Sequence, residues 1–244
     1  MRIALIACMV LNREINNLIS ESDHVVRVWW LRQGLHDTPS ILHEKLQSAI
    51  HEIEKENDDL SPPMRFNAIA LAYGLCSNSV ENLSSALPLV IPRCDDCISL
   101  LLGSVERYQT LFSDYPGIYW FSRGWMEHAF IPSKENYQKK REEYAALYGE
   151  ENADFLIESM NSWLAPYHYY AYISSPIGND HAFCDKAKSI AEDFDMNFVT
   201  FDGSLNYLYD LINGIWSSDR FLHCPPGQKV MLSFDERKII AAPI

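Results

Sequence analysis

The chain has 244 residues, of which 48% are hydrophobic, and it carries 33 acidic side chains against 20 lysines and arginines. This apolar content suffices for a packed core in one large or two small domains. The net charge of −13 argues against an extended surface for nucleic acid or an anionic membrane. No stretch reaches the roughly 18 consecutive apolar residues that a spanning helix needs. We therefore expect a cytoplasmic protein in which six cysteines are thiols, ligands or core residues rather than disulfides.

The first half of the chain predicts strands that alternate with helices. Apolar runs of strand length lie at residues 2–7, 24–31, 67–75, 87–92 and 117–122. Between them, apolar side chains recur at helical spacing, with one helix opened by Thr38 and Pro39 and another running from Ile98 to Phe112. Such alternation indicates a doubly wound, mainly parallel sheet, a Rossmann-like α/β fold.

The second half predicts an insertion and a smaller layer. Residues 133–164 are charged and helix-forming, residues 167–173 form a tyrosine-rich strand, and helix, strand, helix and strand follow. The predicted division is therefore a Rossmann-like half over residues 1–132, a helical insertion or lid over residues 133–175, and a smaller C-terminal α/β layer over residues 176–244 packed on the first.

Thiols and polar side chains follow the predicted strands. In a doubly wound sheet, ligands bind outside the carboxyl ends of the strands. In strand order, the residues just beyond these ends are Cys8, Gln33 with His36, Cys76, Cys94 with Cys97, and Arg123 with Trp125. If the five strands are parallel, all of these residues share one edge of the sheet. Cys97 also opens a helix, where free amides and the helix dipole lower the pKa of a thiol.

Several cysteines and polar residues of the chain also have an ordinary structural explanation. Free cysteine is among the most buried residue types, and we predict a packing role for Cys184 in an amphipathic helix and Cys224 in a turn. A lone Cys-x-x-Cys is a weak motif, because a four-thiolate zinc site normally shows two such pairs. His36 can be an ordinary hydrogen-bonded loop histidine, and Asp95 or Asp96 can simply cap the helix.

Six segments of the sequence resemble the prokaryotic domain of unknown function 1638 family: ACMVLNREI, LRQGLHDTP, LAYGLCSNS, IPRCDDCISLLLGSVERY, PGIYWFSRGW and GIWSSDRFLHCPPG. The resemblance covers nearly the whole chain and implies roles for Cys8, Gln33, Gly34, His36, Cys76, Arg93, Cys97, Gly103, Gly124 and Trp125. The resemblance also implies that genes for corrinoid-dependent methyltransferases often lie beside the gene of a family member. Where the family has alanine-histidine before its aspartate-cysteine, this chain has Cys94-Asp95, which leaves the identity of the metal open.

The leading hypothesis is a metal-thiolate site held by Cys8, Cys76 and Cys97, with a fourth ligand from Cys94, Asp95 or His36. Zinc is the first choice of cofactor and an iron–sulfur cluster the second, since both are held by cysteine sulfur. The ligand sulfurs should then lie a few ångströms apart, roughly 3.8 Å around zinc. By analogy with the neighbouring genes, such a protein would be a metal-dependent methyltransferase or an accessory to one, acting in one-carbon metabolism.

Two other hypotheses need no metal. The first is a redox or nucleophilic enzyme with Cys97 as a low-pKa nucleophile and Cys94 as the resolving thiol. The second is a binding module whose ligand-binding residues are Gln33, Gly34, Arg93, Arg123, Gly124 and Trp125, aided by His36. Its partner would be an anionic small molecule, a corrinoid or a methyltransferase protein.

Overall fold

The computed structural model describes residues 1–244. Its strands are β1 (Arg2–Cys8), β2 (Val25–Leu31), β3 (Ala68–Ala72), β4 (Leu89–Pro92), β5 (Ile118–Ser122), β6 (Tyr169–Ser174), β7 (Asn197–Asp202), β8 (Phe221–Cys224), β9 (Gln228–Leu232) and β10 (Ile239–Pro243). Its helices are α1 (Asn12–Glu21), α2 (Pro39–Asp59), α3 (Cys97–Leu102), α4 (Val105–Asp114), α5 (Arg123–His128), α6 (Lys134–Tyr148), α7 (Glu150–Asn161), α8 (His181–Asp193) and α9 (Asn206–Ile212). None of these helices combines the length and the apolar character needed to cross a membrane.

The chain forms two compact units. The first contains residues 1–108 and 203–244, and the second contains residues 109–202. Neither boundary coincides with the divisions expected from the sequence, which fall after residues 132 and 175. The second unit has its own sheet of β5, β6 and β7, and the C-terminal residues form a separate two-stranded antiparallel sheet of β9 and β10.

The first unit is built on a five-stranded sheet of order β2-β1-β3-β4-β8, in which the first four strands are parallel. All five residues of β3 are buried, as expected for a strand covered on both faces. Because β2 lies on one side of β1 and β3 on the other, the right-handed rule for crossovers predicts that α1 and α2 lie on opposite faces. The Rossmann-like α/β class predicted from the sequence is therefore confirmed.

The edge of this sheet differs from the sequence prediction. The segment FLHC, expected in a turn, is β8, which pairs antiparallel with β4 through Val90 and His223. The fifth predicted strand, β5, pairs with β6 in the other sheet. The expectation that five strands share one carboxyl edge is therefore wrong for the fifth strand.

The second unit is a parallel sheet of order β5-β6-β7 with an aromatic core. The rings of Phe121 and Tyr170 lie 5.1 Å apart, and Tyr119 contacts both of them. Residues 133–164 are largely helical, as predicted, and their two helices α6 and α7 pack against each other.

One predicted helix is two helices in the structure. Gly103 separates α3 from α4 and has a left-handed backbone, with φ of 76°. A Cβ atom on this residue would lie 2.6 Å from the side chain of Ser204. Only glycine therefore permits the close approach, and the Ser104 hydroxyl, which accepts from the Arg107 amide at 3.1 Å, starts the next helix.

Candidate functional site

The carboxyl ends of β1, β3 and β4 bring together four cysteines, which we call the thiol cluster: Cys8, Cys76, Cys94 and Cys97. Cys8 is the last residue of β1, and its neighbour Ala7 pairs with Ala72 at the end of β3. Cys97 is the first residue of α3, which follows β4. The chain leaves β1 and β3 toward opposite sides of the sheet, so the cluster lies at the topological switch point where doubly wound folds bind ligands.

Two loops of the thiol cluster are joined through their backbones. The amide of Leu75 donates to the carbonyl of Cys94 at 2.9 Å, and the amide of Cys76 donates to the carbonyl of Asp95 at 2.8 Å. A Cβ atom on Gly74 would lie 2.5 Å from the Cys94 carbonyl oxygen. The absence of a side chain at Gly74 therefore lets the loop after β3 reach the loop after β4.

The loop after β3 is strained where it carries its thiol. Cys76, Ser77 and Asn78 have φ of 43°, 60° and 66°. The left-handed conformation costs a non-glycine residue roughly 1–2 kcal/mol, less for asparagine. The turn is closed by the Ser79 hydroxyl, which donates to the Cys76 carbonyl at 2.6 Å. Strain of this kind persists where surrounding structure imposes it and often marks a functional position.

The thiols of the cluster influence one another electrostatically. Cys8 and Cys94 are buried, whereas Cys76 and Cys97 keep part of their surface accessible. Burial is the main cause that raises the pKa of Cys97 well above its ordinary value, and Asp96, Cys8, Cys76 and Cys94 raise this pKa further. Burial and then Cys76 raise the pKa of Cys94 in the same way. Burial also raises the pKa of Cys8 and Cys76, so it favours the neutral thiol over the thiolate at all four positions.

The expectation of a low pKa for Cys97 is wrong. Its helix has only six residues, and the carboxylate of Asp96 lies directly before it. Burial and this negative neighbour outweigh the helix dipole. The metal-free hypothesis, in which Cys97 is a low-pKa nucleophile, loses its physical basis.

We expect the metal-free protein to lose stability at alkaline pH. Burial raises the pKa of Cys76 from 9.0 to about 12 in the folded state, whereas the unfolded thiol keeps its ordinary pKa. Between about pH 9 and 12 the folded state then binds more protons than the unfolded state. The free energy of unfolding therefore keeps its full value below pH 9 and falls as the pH rises from about 9 to 12. Urea unfolding at several pH values should show a shallower fall for Cys76→Ser. Equal slopes for the two proteins would contradict this assignment.

A tyrosine that the sequence prediction missed also lies at the thiol cluster. Tyr73 follows β3 directly, and its side chain is buried. Burial raises the pKa of its hydroxyl, and so do Cys8, Cys76 and Cys97. The sequence prediction includes Tyr73 in the apolar strand of residues 67–75, although a hydroxyl at the carboxyl end of an aliphatic strand is a signal for a site residue.

The acidic residues of the Cys-x-x-Cys segment have separate partners. Asp96 caps α3, since its Oδ1 accepts from the amide of Ile98 at 2.9 Å, and its Oδ2 accepts from the Tyr108 hydroxyl at 3.2 Å. The carboxylate of Asp95 instead binds Nζ of Lys238 at 2.7 and 2.9 Å. Capping is thus the role of Asp96, and an ion pair is the role of Asp95.

The other two candidates for a fourth ligand also have contacts. Nε2 of His36 lies 3.3 Å from Oδ1 of Asp37. The Cys94 thiol donates to the carbonyl of Asp96 at 3.5 Å, a weak interaction. No three histidine, cysteine, aspartate or glutamate side chains are arranged to hold a metal ion as they stand.

The residues predicted to bind an anionic ligand do not share one sheet edge. Gln33 and Gly34 follow β2 in the first unit, whereas Arg123, Gly124 and Trp125 belong to α5 in the second.

Three of these ligand candidates also have partners within the protein. Arg93 donates to the carbonyls of Ser218, Arg237 and Ile239. Arg123 pairs with Glu127 and donates to the carbonyl of Asn179. The indole of Trp125 donates to the Tyr119 hydroxyl at 3.3 Å.

Cys184 and Cys224 belong to other elements than the thiol cluster, namely α8 and β8, and both have packing contacts. Cys184 packs against the core of the second unit, and Cys224 ends β8 and pairs with Leu89. We expect Cys224→Ala to lower the free energy of unfolding by about 1 kcal/mol and Cys184→Ala by less, because Cys184 is more exposed. Neither change should alter metal content, measured by elemental analysis. Loss of metal in either variant would contradict the packing role.

Comparison with known proteins gives one match. Residues 30–212 match the sequence model of the family described as Protein of unknown function (DUF1638). This range includes Cys76, Cys94 and Cys97, and it begins after Cys8. No curated protein and no solved structure matches the chain.

Proposed function

Because the chain belongs to the DUF1638 family, whose description names no reaction, we propose its function from the thiol cluster: Cys8, Cys76 and Cys97 bind zinc or an iron–sulfur cluster. The observation that carries this proposal is the convergence of thiols from three adjacent parallel strands on the switch point of the sheet. Soft thiolate donors select zinc or iron–sulfur clusters over hard cations.

The electrostatics of the cluster support a cation as its ligand. Each thiol that ionises here raises the pKa of its neighbours, because the charges have the same sign. A bound cation reverses this relation and stabilises all the thiolates together, with release of their protons. No three ligand side chains of the structure are arranged to hold a metal ion. Metal binding therefore requires the thiol side chains to rotate toward a common centre.

Cys94 is the best of the three candidates for a fourth ligand. Using Asp95 would break its ion pair with Lys238, and using His36 would separate it from Asp37. Freeing the Cys94 thiol breaks only a weak contact with a carbonyl, and the bound cation would offset the burial that disfavours its thiolate. With Cys94 bound the site would be closed and structural, and without it a fourth position would be open to water or a substrate.

Anaerobic purification followed by elemental analysis tests the proposal. We expect close to one zinc ion per chain, or iron and sulfide with visible charge-transfer absorption if a cluster is bound. The analysis should be repeated after loading the chelator-treated protein with each metal. A protein that retains neither zinc nor iron under these conditions would refute the proposal.

Methyl transfer is the reaction that the family resemblance favours. A zinc-bound thiolate is a suitable methyl acceptor, and a corrinoid or a corrinoid-dependent methyltransferase would be the partner. This reaction stays a prediction by analogy with neighbouring genes.

A further inference from the structure

The Tyr73 hydroxyl is a buried polar group that lies beside the Cys8 thiol but makes no well-formed hydrogen bond. The residue is only 4% exposed, and no atom meets normal hydrogen-bond geometry with its hydroxyl oxygen. A buried hydroxyl without a partner destabilises a protein, and phenylalanine would fill the same space without that cost. The hydroxyl therefore points to a stronger acceptor than the neutral thiol beside it.

The surroundings of this hydroxyl identify the acceptor. Its electrostatic neighbours are Cys8, Cys76 and Cys97, with Cys8 the strongest. The pairing of Ala7 with Ala72 places Cys8 and Tyr73 side by side as the chain leaves two adjacent strands. A neutral thiol is a weak acceptor, whereas a thiolate accepts a strong, charge-assisted hydrogen bond.

We propose that Tyr73 is a positioning residue whose hydroxyl donates a hydrogen bond to the Cys8 thiolate when the thiol cluster binds its metal. This inference rests on the proposed function. The hydrogen bond would orient the sulfur toward the metal and stabilise its charge. Partners of metal ligands typically contribute 10–100-fold to metal affinity.

The test compares two tyrosine-to-phenylalanine variants. Tyr73→Phe removes the hydroxyl at the thiol cluster. Tyr170→Phe is the matched control, because Tyr170 is 0% exposed, its hydroxyl also makes no well-formed hydrogen bond, and it lies in the second unit. Zinc affinity is measured by competition with a chromophoric chelator, and thermal unfolding is measured on the metal-free proteins.

We expect Tyr73→Phe to bind zinc about 10-fold or more weakly while its metal-free melting temperature is unchanged or higher. Tyr170→Phe should keep the wild-type affinity. Wild-type affinity in Tyr73→Phe, an equal loss in Tyr170→Phe, or a lower melting temperature of metal-free Tyr73→Phe would each overturn the inference alone. A wild-type protein that binds no metal would instead overturn the proposed function and the inference with it.

Discussion

Replacement of Cys97 by serine is expected to remove the metal from the protein, whereas replacement of Cys94 by serine should leave it bound. Cys97 lies at the first position of α3, and its electrostatic neighbours Cys8, Cys76 and Cys94 all raise the pKa of its thiol. A hydroxyl is a harder and weaker donor than a thiolate. Since the loss of an outer partner alone costs 10–100-fold in affinity, the loss of this ligand should exceed about 100-fold.

The Cys94→Ser variant is the internal control, because both thiols flank the same helix start. In the proposed site Cys94 is the optional fourth ligand, and water would complete the site in its absence. Zinc and iron per chain are measured after anaerobic purification, with folding confirmed by circular dichroism. Equal metal retention in both variants would remove Cys97 from the site. Loss of metal only in Cys94→Ser would mean that Cys94 is the obligatory ligand.

Replacement of Gly74 by alanine is expected to destabilise the protein by about 3 kcal/mol and to abolish metal binding. The added Cβ would lie 2.5 Å from the Cys94 carbonyl oxygen and 2.8 Å from the Asp96 amide nitrogen. Both are backbone atoms, so the loops must separate. Separation would break the hydrogen bonds by which Leu75 and Cys76 bind the neighbouring loop. Urea unfolding and metal analysis measure the two effects.

Gly227→Ala is the control for the general effect of replacing glycine. Gly227 has φ of 80°, and a Cβ atom there would meet nothing within 4 Å. Its replacement should cost only the left-handed backbone penalty, about 1 kcal/mol, and leave metal binding intact. If Gly74→Ala proves no more costly than Gly227→Ala, the close contact between the two loops is not needed for the fold.

The sequence by itself determined most of the local structure and the residues of the thiol cluster. Apolar runs and helical spacing predicted β1 to β7 and most helices, because these patterns report burial on local elements. The rule that ligands bind at the carboxyl ends of strands then indicates Cys8, Cys76 and Cys97 as candidate site residues. The structure brings these three residues to one edge of the sheet because β1, β3 and β4 are parallel neighbours, each followed by its own loop.

Tertiary structure decided strand partnership and the chemical state of the site. Pairing is a long-range choice, so the short segment FLHC became β8 beside β4, while the aromatic residues of β5 joined the tyrosine-rich β6. The pKa of Cys97 rises rather than falls because burial and the nearby thiols depend on segments distant in sequence. The contacts of Tyr73 with the thiols and of Asp95 with Lys238 arise in the same way. Sequence spacing describes neighbours along one element, whereas these energies depend on distances between elements that only folding brings together.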